Sequence, residues 1–296
     1  MDELGSGLDV SERRACRALS VNRSSARYRP RKAADQERRR LIARMHEIKA
    51  RRPRFGSPRV TALLRAEGWG VNHKRVERLM KREGLNVKRK QRKRRRLGSS
   101  ANGVARRRAE RPNHVWTWDF TFDRTEDGRA LKWLAVVDEF TRECLALEPA
   151  RGFTAGQVIQ RVAQIIERRG APEHIRSDNG PEFIARRLRD WLQGRRVGAL
   201  YIQPGAPWEN AYIESFNGKL KDELIEGELF TSLLEAQVLT AQWMEDYNER
   251  RPHSSLGYLA PEEFARRWAS GTPGRRPSAP SPQRQVQGLT LIRTGP

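Results

Sequence analysis

The sequence predicts an α/β domain built on a mixed central sheet and preceded by a small all-α unit. Two changes near residue 113 carry that prediction: the apolar pattern passes from helical spacing to alternation, and the charge passes from strongly basic to balanced. Residues 1–112 hold 35 Lys+Arg against 11 Asp+Glu, a net of +24, whereas residues 113–296 hold 24 against 25, a net of −1. All of the chain's balance of +23 therefore lies in its first third. Charge confined in this way points to a polyanion, because each phosphate met by Lys or Arg releases condensed counterions. Charge that served only solubility needs no such confinement, and a membrane surface is the weaker alternative.

The basic third divides further. "SERRACRALSVNRSSARY" suggests two short helices around Val21 and Asn22. "ERRRLIARMHEIKARRP" reads as one helix with Leu41, Ile42, Met45 and Ile48 on one face. Ser57 then offers an N-cap before Pro58 for a helix over 58–66, with Val60, Leu63 and Leu64 inward. After the "GWGV" turn, Asn72 caps a third helix that turns Val76, Leu79 and Met80 to the core. Its other side carries His73, Lys74, Arg75, Arg78, Lys81 and Arg82. That is a helix-turn-helix whose last helix would lie in a major groove or along phosphates, although an ordinary solvated basic helix has the same pattern. Lys88, Arg89, Lys90, Arg92, Lys93, Arg94, Arg95 and Arg96 follow in nine residues. Self-repulsion keeps such a run from folding alone, so it reads as a linker tracking a phosphate backbone.

From residue 113, "HVWTWDFTF" sets Val115, Thr117, Asp119 and Thr121 against Trp116, Trp118, Phe120 and Phe122, a strand pattern. A turn at Gly128 leads to strands over 131–138 and 143–148. Val158, Val162, Ile165 and Ile166 mark a helix over 155–169. A short strand at 174–178, a helix at 181–193, a strand at 199–203, a long helix at 210–225 and a helix at 234–249 complete the order. The Pro/Ser/Gln-rich residues beyond 270 are expected to be disordered. The expected layout is thus a short helical segment at 1–30, the helix-turn-helix at 31–86, a linker at 87–112, an α/β core at 113–232, a helical extension at 233–269 and a tail at 270–296. Cys16 and Cys144 fit a reducing compartment rather than a disulfide framework. No run of 18 apolar residues is present and "MDELGSGLDVSERR" lacks an apolar signal region, so the expected location is the cytoplasm.

Three carboxylates occupy strand ends or the start of a helix, where α/β folds place their sites. Asp119 shares a strand face with Thr117 and Thr121, Asp178 ends the fourth strand, and Glu214 lies one turn into the long helix. On that helix Ile213, Phe216, Leu220 and Leu224 should pack on the sheet, while Glu214, Asn217 and Lys221 form a neighbouring row. Converging carboxylates repel unless a cation lies among them, and hard oxygen donors suit Mg²⁺ or Mn²⁺. Two such ions about 4 Å apart clamp the oxygens of a phosphodiester displacement. The plainer alternative makes Asp119 a satisfied strand polar, Asp178 an Asx-turn residue and Glu214 a solvated charge. Asp123, Asp138 and Glu182 read as structural or solvated. Trp208 and His253 are open between core or turn roles and DNA contact.

"TWDFT", "RSDNGPEF" and "NAYIESFNGKLKDEL", with "VVDEFTRECLAL" and "RPHSSLGYLAPEEF", resemble the DDE core of retroviral-type integrases. They are most similar to the second-frame transposases of bacterial insertion sequences that encode two overlapping frames. Asp119, Asp178 and Glu214 fall on the family's acids with 35 residues between the last two, and Lys221 falls on its lysine. The helix-turn-helix resembles the module that precedes the core there. The resemblance spans residues 10–268 and implies a ribonuclease H-like fold. It also implies DNA cleavage and strand transfer by Asp119, Asp178 and Glu214 with two Mg²⁺ or Mn²⁺ ions, and a grip on DNA by Lys221; Asn217, in the same helical row, is expected to contact DNA beside it. The implied partners are double-stranded DNA at the element's terminal inverted repeats and at a target, the protein itself as a dimer or higher oligomer, and the first-frame product, in the bacterial nucleoid. The retroviral His/Cys zinc module is absent, and no complete first-frame unit or heptad run precedes residue 30. A non-catalytic DNA-binding regulator would use only the basic third, and a ribonuclease H would have no use for the helix-turn-helix; the acid triad weighs against the first.

Overall fold

The computed structural model describes residues 11–27, 32–87, 108–178, 180, 182–202 and 210–271. The residues from Lys88 to Arg96 and Trp208 lie outside these. The described residues fall into two compact units, one drawn from Met1–Val60 with Val71–Val87 and the other from Thr61–Gly70 with Lys88–Pro296.

In the helical region, α1 (Glu12–Ala18) and α2 (Arg23–Ala26) stand where the sequence suggests two short helices. Asn22 caps α2 by accepting from the Ser24 N–H at 3.1 Å. Helix α3 (Lys32–Arg51) buries Leu41, Met45 and Ile48, and Phe55 just beyond it is buried as well. Helix α4 runs from Ser57 to Ala66, so Ser57 is its first residue and not its cap. The Gly56 carbonyl accepts from Arg59 and Val60 at that end. Val60, Thr61 and Leu64 are buried there, and Leu63 is only half-buried. Gly68 then takes φ +88, the left-handed conformation that stops a helix at no steric cost. Helix α5 (His73–Arg82) is capped by Asn72, whose side chain accepts from Lys74 N–H at 3.0 Å, and it buries Val76, Leu79 and Met80 as the spacing requires.

In the core, β1 (Val115–Arg124), β2 (Ala130–Asp138) and β3 (Cys144–Ala150) form an antiparallel meander. Helix α6 (Ala155–Arg169) returns the chain to β4 (His174–Ser177), which pairs in parallel with β1. After α7 (Arg186–Gly194), β5 (Gly198–Tyr201) adds in parallel to β4, giving the order β3-β2-β1-β4-β5. Helices α8 (Ala211–Glu223), α9 (Leu233–Glu249) and α10 (Pro261–Ala269) complete the described chain. This mixed sheet with helices on both faces is a ribonuclease H-like core.

The alternation along β1 decides what each face holds. Trp116 and Trp118 join Leu134, Val136 and Ile175 in a core under α6 and α7. The opposite face, through Trp133, Ala135 and Val137, packs against Ile213, Phe216 and Leu220 of α8 and Ala236 and Tyr247 of α9. Thr117 and Asp119 are on that second face, opposite Val137 and Ala135 in the β1–β2 register. Helix α7 begins five residues later than its sequence suggests. The Gly180 carbonyl accepts from Phe183 and Ile184, which closes a turn, and Phe183 leaves the helix to become buried in the first core.

Two carboxylates near the sheet are structural. Asp138 Oδ1 accepts from the N–H groups of Phe140 (2.7 Å) and Thr141 (3.0 Å), and Oδ2 from that of Asn113 (2.8 Å). Glu139 meets the Arg176 guanidinium at 2.7 Å, both side chains being nearly inaccessible. Breaking a buried pair leaves a charge without its counterion. Arg176→Met is expected to cost about 3–5 kcal/mol of core stability, read as a lower urea midpoint; an unchanged midpoint would contradict it. The His253 imidazole, open to either role in the sequence, is buried edge-on against Tyr247 at 4.8 Å, in a turn where the backbone N–H of His253 donates to the Leu259 carbonyl.

Candidate active site

Asp119 and Asp178 are brought side by side by strand register. The parallel pairing runs Val115 with His174, Trp116 with Ile175 and Thr117 with Arg176. Continued for two residues, it sets Asp119 beside Asp178, one residue past the end of β4. Neighbouring strands lie about 4.8 Å apart, and residues in register project to the same face. At the strand end Asp178 Oδ1 accepts from the Gly180 N–H at 3.1 Å, which is the Asx-type turn the plainer sequence reading allows. A Cβ at Gly180 would come within 3.1 Å of that oxygen, so the loop is closely fitted around the carboxylate.

Helix α8 covers this point. Asn210 at its start is buried and is hydrogen-bonded to Thr117 Oγ1 at 2.8 Å, which ties the head of the helix to β1. Two turns on, Asn217 Nδ2 donates to Asp119 Oδ2 at 2.8 Å. Asn217 is expected from sequence among the DNA contacts, yet it is buried and its amide is engaged by the acid. Glu214 precedes it by three residues and Lys221 follows by four; both are exposed. Burial, with the charges of Asp178 and Glu214, pushes the Asp119 carboxyl up to about 6, against the bond from the Phe120 N–H and the charge of Lys221. The four charged groups thus share one electrostatic neighbourhood.

The donors in that neighbourhood are hard oxygens, the set that suits Mg²⁺ or Mn²⁺ rather than a soft metal. Asn217 Oδ1 is buried and has no hydrogen-bond partner among the described residues, an acceptor that the water of a hydrated cation would satisfy. The residues present fit a divalent ion, although the three carboxylates are not drawn into one tight cluster. Among the described residues the one group of three metal-ligating side chains with all atoms within 4.8 Å is His114, Glu173 and His174, at the opposite ends of β1 and β4. There His114 Nδ1 accepts from the Glu110 N–H, leaving Nε2 to carry the proton toward Glu173 Oε2 at 3.1 Å. Arg111 pairs with the other Glu173 oxygen. His114, Glu173 and Arg111 thus form a hydrogen-bonded tether at this end of the sheet.

Of the basic residues expected on DNA, Lys74, Arg78, Lys81 and Arg82 are exposed on α5, and Arg75 is half-buried 3.6 Å from Glu37. Those of the run from Lys88 to Arg96 lie outside the described residues. Sequence reasoning missed the Asn210–Thr117 bond and the role of Asn217 toward Asp119. Both are polar groups on the buried side of α8, where a lone Asn gives no periodic signal.

Family models described as integrase core domain match residues 109–207 and 195–261, and one described as HTH-like domain matches residues 35–95. The chain is 42% identical over 265 residues to a protein of insertion element IS407 from Burkholderia multivorans, covering 90% of this chain and 94% of that one. It is 30% identical to the putative transposase InsK for insertion sequence element IS150 from Escherichia coli K12, covering 84% and 91% of the two. Among solved structures, the HTLV-2 integrase catalytic core domain in complex with magnesium superposes with a TM-score of 0.45 at 19% identity, over 53% of this chain and 99% of that one.

Proposed function

This chain belongs to the insertion-sequence transposases that carry an integrase core and an HTH-like domain, and from that premise we propose that it cleaves and joins DNA at a site formed by Asp119, Asp178 and Glu214. The observation that carries the proposal is the β1–β4 register, which sets Asp119 beside Asp178 under a helix that brings Glu214 into the same field. Asp119, Asp178 and Glu214 would hold divalent metal, two ions in the full site, which when bound supplies Lewis acidity to the attacking and leaving oxygens. In cleavage, a water oxygen bonds to phosphorus at the element end, the bond from phosphorus to the 3′ oxygen breaks, and that oxygen leaves as a 3′-OH. In joining, the 3′-OH oxygen bonds to a target phosphorus, and one target strand leaves with its own 3′-OH. The protein forms no covalent bond in either displacement.

The chain's own groups supply position and charge. With its carboxyl near 6, Asp119 is predominantly ionised above neutral pH, where Asn217 fixes one of its oxygens by hydrogen bonding. Lys221 stands on the same side of α8, exposed, and would hold a phosphate of the bound DNA end as a point charge. Element ends and target are double-stranded DNA, engaged first through the basic third of the chain. Holding two ends for joining calls for two or more protomers.

Incubation with labelled element ends and Mg²⁺ tests the reading: joined products are expected, and the absence of both nicked ends and joined products would refute it. The basic third gives a separate expectation. Replacing Lys74, Arg78, Lys81 and Arg82 by Gln should flatten the plot of log affinity for duplex DNA against log salt by about 0.9 for each phosphate left unneutralised. Fluorescence anisotropy across a salt series measures that slope, and an unchanged slope would take these four residues off the DNA.

A further inference from the structure

On the opposite side of β1 from Asp119, the two neighbouring residues grip the loop that carries Asp178. Trp118 and Phe120 precede and follow Asp119 directly, so their rings project to the other face of the sheet. Phe183, five residues beyond Asp178, lies parallel to both, 5.0 Å from Trp118 at 13° and 4.7 Å from Phe120 at 9°. It is fully buried there. Glu182 beside it is ion-paired with Lys132 of β2, both side chains being largely covered. The Lys132 ammonium also lies 3.8 Å from the centre of the Phe120 ring and 5.2 Å from that of Phe122. The ring face offers a cation negative charge density, and desolvation strengthens that attraction. Lys132 thus joins β1 and β2 to the loop through one nitrogen, and Gly180 closes the loop back onto Asp178.

We infer that Lys132 and Glu182 are positioning residues: by clamping the loop to the face of β1 opposite Asp119, they set the separation between Asp119 and Asp178 and hence the affinity of the site for divalent metal. The inference rests on the proposed assignment of those two acids. A surface ion pair would not show this construction, since it would lack the covered surroundings and the ring beneath the ammonium. Nor does Lys132 merely offset general acidity, because its one carboxylate partner among the described residues is the residue that precedes Phe183.

The test titrates Mn²⁺ into the full chain and follows the free-ion electron paramagnetic resonance signal, with Asp119→Asn as the reference for other sites. In Lys132→Met and in Glu182→Gln the dissociation constant is expected to rise about fivefold or more, since a displaced ligand weakens coordination as removal of an outer partner does. The double variant should be no weaker than either single one, because the two groups act as a unit. Lys132→Arg, which keeps the charge over the ring, should stay within about twofold of the parent. Circular dichroism melts set the titration temperature, which is held well below the lowest midpoint of the four variants so that each is folded when it binds. Parental Mn²⁺ affinity in either single variant, additive losses in the double, or failure of Arg to restore binding would each overturn the inference. Asp178→Asn is measured alongside: if it binds Mn²⁺ as the parent does, the assignment of the acids falls instead of the clamp.

Discussion

Asp119→Asn, Asp178→Asn and Glu214→Gln are each expected to lower cleavage and strand transfer by about a thousandfold or more while leaving affinity for duplex DNA within about twofold. The size follows from what each acid supplies. Removing one carboxylate from a three-carboxylate site withdraws a hard anionic ligand, and about 4 kcal/mol lost from the transition state corresponds to a thousandfold in rate. Binding is expected to be spared because the net charge of +24, proposed above to engage DNA, lies in residues 1–112, away from these acids in sequence. The substitutions preserve size, so a loss of folding is not the expected cause. Labelled-end joining and anisotropy on the same samples give both numbers, and a variant that still joins ends loses its place in the site.

The second large effect is on stability, with an opposite sign. The folded environment raises the Asp119 carboxyl to about 6 from 3.8, first through burial and then through the charges of Asp178 and Glu214. The folded state therefore holds this proton more tightly than the unfolded chain does. Below pH 4 both states are protonated and no penalty exists. Between about 4 and 6 the unfolded chain ionises first, and stability falls as pH rises. Above that window the whole penalty applies, at most about 3 kcal/mol from the difference between the two values. Asparagine cannot ionise. Asp119→Asn should accordingly melt above the parent at pH 8 in chelator and converge with it near pH 4. Added Mn²⁺ should raise the parent and not the variant. Melting of the variant below the parent at pH 8 would show that the carboxylate stabilises the metal-free fold.

Helix α5 is legible in the sequence because three signals coincide there: a capping Asn72, an apolar row at Val76, Leu79 and Met80, and a basic opposite face. Strand β1 is legible because its alternation is unbroken from Val115 to Phe122. The adjacency of Asp119 and Asp178 is not, since register between distant strands depends on pairing energies that no local pattern records. The start of α7 departs from expectation for a related reason. Local propensity after Pro181 favours helix, but burying Phe183 between two rings and closing a turn on Gly180 outweigh it. Asn217 shares a helical row with Glu214 and Lys221, and that row gives an angle around the axis but no depth. Its burial and its bond to Asp119 appear only when α8 is seated on the sheet. The Lys132–Glu182 pair joins residues 50 apart in sequence, and charges at that separation carry no pairing signal in one chain.

The claim that the acids form one divalent-metal site is tested most directly by counting bound ions. Equilibrium dialysis of the full chain against Mn²⁺, with metal determined on both sides, is expected to give stoichiometric binding in the parent. Each of Asp119→Asn, Asp178→Asn and Glu214→Gln should weaken it by about tenfold or more. Parental binding retained in all three variants would contradict the account.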